Sequence, residues 1–437
     1  MAASYHLIVG LMLLCALPAR ADWPEFRGPW GNGHVSPPGD RKPTELPLTW
    51  SERQNVKWKT PIPHRGWSTP VVMGKQVWLT TATEDGHDFF AICVDADSGK
   101  VLSNEKLFHA DAPEPLGNEV NGYASPSPVI EPGRVYLHFG SYGTACLDTE
   151  ARNVVWKRDD LPCRHFRGPG SSPVLVNNLL ILTLDGINTQ YVTALDKQTG
   201  RTIWKTDRTT EWNDLGADGK PVGDGDFRKA FSTPLIFEVG GVTQMISAGS
   251  KAAYSYDPSN GRELWRIKLV GHTTAVRPVF GRGLVFIASG QGKTEMLAVR
   301  PEGHGDVTET HIAWRNGRGA PRMPSPLLVD DLLYLLGDNG VMRCVEAATG
   351  NEIWQERIGG EYYASPLCAD GNIYCFSREG KTIVLKAGRS LEVRATNTLD
   401  DGFMASPAVC GKALVLRTKA NLYRIEAGER VETTKGK

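Results

Sequence analysis

The chain has 437 residues, and Lys plus Arg balances Asp plus Glu at 49 each, so no global charge recommends nucleic acid or an anionic membrane surface as a partner. With 47 glycines, 28 prolines and 41% hydrophobic residues, it is neither disordered nor fibrous. It fits one large, turn-rich domain with ample material for a core.

In chain order, the first element is an apolar stretch over residues 7–17, too short to span a bilayer, followed by Ala19-Arg20-Ala21, which has the small-x-small form of a signal-peptidase site. Export with cleavage after Ala21 is expected, although no Lys or Arg precedes the apolar stretch. Cys15 follows Leu14, so no lipid anchor is expected, and the mature chain should be periplasmic or extracellular.

Next comes Asn55-Val56-Lys57-Trp58-Lys59, a short β-prone run standing by itself. Beyond it the chain repeats one pattern eight times: a Ser-rich step into proline, an apolar run, a Gly/Asp/Asn turn and a second apolar run. The prolines are Pro70, Pro128, Pro173, Pro234, Pro278, Pro326, Pro366 and Pro407, spaced from 40 residues (Pro326 to Pro366) to 61 (Pro173 to Pro234). That period is the size of a four-stranded propeller blade. In residues 324–358, the runs Leu327 to Val329, Leu332 to Leu336 and Val341 to Val345 are separated by Asp330-Asp331 and Gly337-Asp338-Asn339-Gly340, and a fourth run carries Trp354. Runs of this length between such turns predict a meander of hairpins. The proline, which cannot donate a ladder hydrogen bond, belongs at the strand start.

A second signature marks the outer half of the repeat: an acidic residue, Gly four residues on, Trp four beyond that. It reads Asp196, Gly200, Trp204; Asp257, Gly261, Trp265; and Glu346, Gly350, Trp354, while Arg152 replaces the glycine before Trp156 and Ser103 replaces the tryptophan after Gly99. The glycine suits a left-handed turn position. Trp58, Trp156, Trp204, Trp265, Trp314 and Trp354 are assigned to packing between blades, since an indole buries about 150–250 Å².

After Pro407 only two further apolar runs remain, so the last blade has three strands from the C-terminal end, and residues 55–59 supply the fourth. The expected architecture is therefore an all-β, eight-bladed propeller of four-stranded antiparallel blades closed by an N-terminal strand, with seven blades as the fallback. The layout is signal peptide 1–21, N-terminal extension 22–50, propeller 51–430 and polar tail 431–437. Seven cysteines remain after cleavage. Cys93, Cys146 and Cys344 share one repeat position and read as small buried residues.

The Asp-x-x-x-Gly-x-x-x-Trp repeat, the Ser-Pro strand starts and the opening Trp23-Pro24-Glu25-Phe26-Arg27-Gly28-Pro29 resemble the bacterial PQQ-like β-propeller repeat proteins, a superfamily spanning the assembly factor BamB and the quinoprotein dehydrogenases. The resemblance covers about residues 23 to 426. It implies the propeller fold and two kinds of function: a scaffold in outer-membrane protein assembly, or a dehydrogenase of alcohols or sugars holding pyrroloquinoline quinone over calcium. Quinoproteins commonly carry a vicinal disulfide, and this chain has no Cys-Cys pair. No HExxH, GxSxG, complete P-loop or cysteine-based zinc pattern occurs. Ser289-Gly290-Gln291-Gly292-Lys293-Thr294 leads into Met296 to Val299, a strand, where a phosphate loop would open a helix. The acidic stretch from Asp214 to Asp226 lacks EF-hand spacing.

The reading favours a monomeric, non-catalytic scaffold without a cofactor or a metal, binding a protein or another envelope or extracellular ligand. Residues just before each Ser-Pro step should surround the channel mouth: Arg65, Trp67, Asn121, Tyr123, Arg167, Arg228, His272, Arg277, Arg322 and Tyr362. Convergent arginines and aromatics suit anionic or carbohydrate-like groups. The alternative for such residues is that they satisfy neighbouring carbonyls. The long connections 109–122 and 209–228 are expected to emerge on the same face as this mouth.

Overall fold

Hairpins form where the turn residues allow them. Asn177, Asp330 and Asp370 take φ of 52°, 54° and 51° in the first turn of their repeats, the left-handed conformation that Asn and Asp tolerate best after glycine. The computed structural model describes residues 22–428 apart from Pro38, Arg41 and Asn118. The expected leader 1–21, with Cys15, and the tail 431–437 lie outside the described residues.

The described strands form eight sheets, each an antiparallel meander. The sixth blade is typical: Leu327–Val329, Leu332–Leu336, Val341–Glu346 and Glu352–Arg357 pair in sequence order from the axis outward. In the fourth blade a short extra strand, Gly305–Asp306, adds in parallel to the outer strand Glu263–Lys268. The innermost strands of successive blades adjoin around an axis, making an eight-bladed propeller. The last sheet orders Ala408–Cys410, Ala413–Arg417 and Asn421–Ile425 with Val56–Pro61 outermost. Both ends of the propeller chain therefore meet in one blade, which removes open edges.

The outer-strand tryptophans bind the next blade. The indole N–H of Trp58 donates to Ala96 O (3.0 Å), that of Trp156 to Lys197 O (3.0 Å), that of Trp204 to Pro258 O (3.2 Å), that of Trp314 to Ala347 O (2.9 Å) and that of Trp354 to Gly388 O (3.1 Å). Trp265 donates to Gln244 Oε1 (3.0 Å) and Pro301 O (3.2 Å). The glycine of the signature has a second role beyond its turn. Gly99, Gly200, Gly261 and Gly350, all near φ +73°, lie face to face with Trp58, Trp156, Trp204 and Trp314 of the preceding blade, and a Cβ there would strike the ring. Within each blade a residue sits opposite the outer-strand position: Cys146 pairs with Trp156, Ala194 with Trp204 and Cys344 with Trp354, each at a register shift. Cys93, Cys146 and Cys344 are fully buried.

Residues 22–36 are woven into the ring. Trp23 exchanges backbone hydrogen bonds with Val72 of the first blade (2.9 and 2.8 Å), and Pro24 O accepts from Ile130 of the second. Arg277 of the fifth blade binds Glu25 (3.0 Å) and Phe26 O. Arg27 reaches Pro326 O (2.8 Å) in the sixth, and Gly33 O accepts from Cys368 of the seventh. The first and fifth blades stand opposite one another in an eight-fold ring, so this segment crosses the axis.

Candidate functional site

The two positions that face the axis are set by strand alternation. Residues at i and i+2 of an extended segment share a side, and the positions one and three before each proline are such a pair. All eight residues three before the proline line one axial cavity of about 560 Å³: Trp67, Ser125, Gly170, Phe231, Ala275, Met323, Tyr363 and Met404. Below them come Thr69, Ser127, Ser172, Thr233, Ser365 and Ser406, from the position one before the proline, and Phe26 of the crossing segment. The cavity is thus a well, and the chain's own N-terminal segment stands at its floor.

The hydroxyls of the second layer have a structural task. The N–H of Thr69 donates to Ser127 Oγ, that of Ser127 to Ser172 Oγ, that of Ser172 to Thr233 Oγ1, that of Arg277 to Ser325 Oγ, that of Ser325 to Ser365 Oγ and that of Ser365 to Ser406 Oγ, at 2.9–3.0 Å. A buried N–H left without an acceptor costs about 1–3 kcal/mol, and here the next blade supplies it. Six of the eight links are made in this way; among the described residues the eighth blade gives no such bond to the first, and at the fifth blade Arg277 stands in place of Ser or Thr. Its Nε donates instead to Pro234 O (3.1 Å), and its far end holds Glu25 and Phe26.

Four of the ten expected mouth residues converge on the well: Trp67, Asn121, Arg167 and His272. Asn121 spends its amide donors on Gly168 O and Pro169 O, both at 3.1 Å. Arg167 is about one-third exposed, lies over the Phe166 ring at 5.0 Å and comes within 4.0 Å of Asp226 Oδ1. Burial, with Lys251 and Lys229 nearby, holds the His272 imidazole below its ordinary value, and its ring meets Phe227 edge-on. The remaining six are placed elsewhere. Arg65 pairs its backbone with Ala82 and its guanidinium lies 5.0 Å over the Trp67 ring. Arg228 binds Asp214 (2.9 Å), and Arg322 binds Asp338. Tyr123 is buried, donating to Glu114 O (2.7 Å). Tyr362 and Arg277 are buried at 0% and 2% exposure, so neither forms part of an open mouth. Tyr362 and Arg322 stand four before their prolines, on the opposite side of the strand from the axis.

Sequence reasoning set Lys229 beside Arg228 among the residues near the mouth without singling it out, and it left Asp226 out of the site. Lys229 lines the well with its side chain 2% exposed, its ammonium against the Asp226 carboxylate and 2.9 Å from Asp226 O. Burial, then repulsion from Arg167, pulls Lys229 down to about 8, and the adjoining carboxylate helps keep it charged at neutral pH. Asp226, from the connection 209–228, and Val120 and Asn121, from 109–122, reach the same cavity. Parity before the proline was the available signal for the eight wall residues. Nothing local marked Phe26 or Asp226.

Among the described residues no cluster of three or more His, Cys, Asp or Glu could hold a metal ion, and no helix is long and apolar enough to cross a membrane. The family described as outer membrane protein assembly factor BamB matches this sequence over residues 48–205 and 188–429. The chain belongs to this family of PQQ-like propeller proteins. Its BamB relative from Yersinia pestis is 23% identical over 230 residues, covering 48% of this chain and 53% of the relative. The BamB of Marinobacter adhaerens is 24% identical over 174 residues, covering 38% and 41%. The chain thus spans about half or less of the length of these curated relatives. Among solved structures, BamB from Moraxella catarrhalis superposes with a TM-score of 0.58 at 10% identity, over 84% of this chain and 99% of that one. A quinohemoprotein alcohol dehydrogenase from Pseudomonas putida HK5 superposes with a TM-score of 0.61 at 11% identity, over 95% and 82%. At such identities the likeness concerns the fold.

Proposed function

We propose that this chain is an exported, non-catalytic binding propeller of the cell envelope, engaging a protein or another ligand at the rim of the axial well, in the service of outer-membrane protein assembly. The observation that carries this reading is the well itself. Every blade contributes a side chain to its wall, two long connections reach it, and the crossing N-terminal segment leaves one face for approach. A concave, largely apolar cavity with a few convergent polar groups is the general form of a ligand site.

The dehydrogenase alternative needs an oxygen-rich seat for calcium beside the quinone. Among the residues lining the well the carboxylate is that of Asp226, and Lys229 occupies it. This donor set does not fit a quinone-bound calcium.

The test is photo-crosslinking in envelopes of the producing cell, with the reactive group at Gln291 on the rim of the well and, as a control, at Val242, exposed at the start of its strand. The proposal expects a discrete adduct from the rim position alone. Equal adducts from both, or none from the rim, would remove it. Adding pyrroloquinoline quinone and calcium to the purified protein should leave no bound chromophore and no dye reduction with alcohols or sugars.

A further inference from the structure

We propose that the well receives a carboxylate end-on, its anionic head at Arg167 and Lys229 and its apolar body against Trp67 and Phe231. This rests on the reading of the rim as the binding face and adds the chemistry of what enters.

Three observations converge. The first is charge. Arg167 and Lys229 both approach Oδ1 of one carboxylate, that of Asp226, and no other Asp or Glu is among the residues lining the well. One positive charge is left without a counter-charge in a cavity of low polarity, where ion pairing is worth more than in water. The second is donor surplus. The indole N–H of Trp67 is buried with no acceptor, and an unmet buried donor is costly. Asn121 has already committed its donors to Gly168 and Pro169, and Lys229 its ammonium to Asp226, so the groups still short of an acceptor are Trp67 and Arg167. The complement of such a set is an acceptor-rich anion, and a planar carboxylate matches the fork of a guanidinium.

The third observation is the floor. Phe26 lines the well and its segment crosses the axis, so a polymer cannot thread through and a ligand must enter by one end. An amino terminus would meet Arg167 and Lys229 with its own charge. A phosphate ester, at close to two negative charges near neutral pH, would exceed the single positive charge on offer. A carboxylate balances it, and the aromatic and aliphatic walls accept an apolar neighbour. The carboxylate can belong to a peptide C-terminus or to a small organic acid.

Calorimetric titration of the full chain separates these sources and tests the idea. The probes are 3-phenylpropionate, the tripeptide alanyl-alanyl-phenylalanine with a free carboxylate, and the same tripeptide as its C-terminal amide. Binding of either acid, with the amide at least about tenfold weaker and with Arg167→Gln losing about tenfold for the acid, supports the proposal. Binding by the tripeptide acid alone identifies a chain end, and binding by phenylpropionate alone a small acid. Equal affinity for acid and amide, no binding of either acid, or an Arg167→Gln protein that binds as well as the parent overturns it. Arg167 is partly exposed, so this variant should fold, and an unchanged circular dichroism spectrum checks that. Rim crosslinking that persists while both acids fail to bind would leave the binding face standing and remove only the carboxylate.

Discussion

Replacing Gly200 by Ala tests the contact that joins blade to blade. Gly200 has φ of +73°, and a Cβ there would lie 2.7 Å from Cε3 and 2.8 Å from Cδ2 of Trp156. The left-handed backbone by itself costs a residue bearing a Cβ about 1–2 kcal/mol. Restoring ordinary contact at about 3.5–4 Å requires the indole to retreat by about 1 Å, an overpacking cost of about 1–3 kcal/mol. That retreat also stretches the 3.0 Å hydrogen bond from Trp156 to Lys197 O, which contributes about 1 kcal/mol. The sum is about 3–6 kcal/mol. Gly241 supplies the control, because its φ is +74° and nothing lies within 4 Å of a Cβ built there. Gly241→Ala should therefore carry the backbone cost alone, about 1–2 kcal/mol. At about 2.1 cal/mol/K per residue, 437 residues give an unfolding entropy of about 0.9 kcal/mol/K, so each kcal/mol moves Tm by about 1 °C. Scanning calorimetry should show a loss of about 3–6 °C for Gly200→Ala and about 1–2 °C for Gly241→Ala. Indistinguishable shifts would refute the claim that this glycine is required by the tryptophan of the preceding blade.

Ser127→Ala removes the hydroxyl that accepts from the Thr69 N–H and should destabilise by about 1–3 kcal/mol, with hydrogen exchange accelerated at the Thr69 amide; unchanged protection there would count against the inter-blade circle. Stability should also fall on mild acidification. Burial pushes the His138 imidazole down to about 3 and that of His165 to about 4, and His165 Nε2 accepts the N–H of Ser141. Because the folded values lie below the ordinary value of 6.5, the unfolded chain binds more protons through that interval, so stability declines as pH drops below 6.5. Between pH 7 and 5 each histidine should remove about 2 kcal/mol. The pH dependence of denaturant midpoints should be shallower in His165→Gln, and an equal slope would contradict the assignment.

The blades were legible because their determinants are local. A proline without an N–H can open a strand, Asp330 and Asp370 can turn one, and Gly200 with Trp204 marks an outer strand wherever the pair occurs in the repeat. Ring closure was legible for a related reason: counting strands left Val56 to Lys59 over and one blade short. The site was read less fully. Trp67, Asn121, Arg167 and His272 were chosen for their chemical type near a strand entry and do face the well. Tyr362 and Arg322 were chosen on the same grounds, but at four residues before the proline strand alternation turns them from the axis. Asp226 belongs to a long connection whose course no periodicity specifies.

Sequence alone determined the eight-fold repetition, the strand order within a blade and the pairing of the chain's two ends, because backbone sterics and turn chemistry act over a few residues. Tertiary structure alone decided that residues 22 to 36 cross the axis, that Arg277 leaves the circle of hydroxyls to hold Glu25 and Phe26, and that Arg167 and Lys229 share one carboxylate. Those contacts join groups as far apart in the chain as Gly33 and Cys368, and such partners are chosen by the packing of the closed ring, which no single repeat contains.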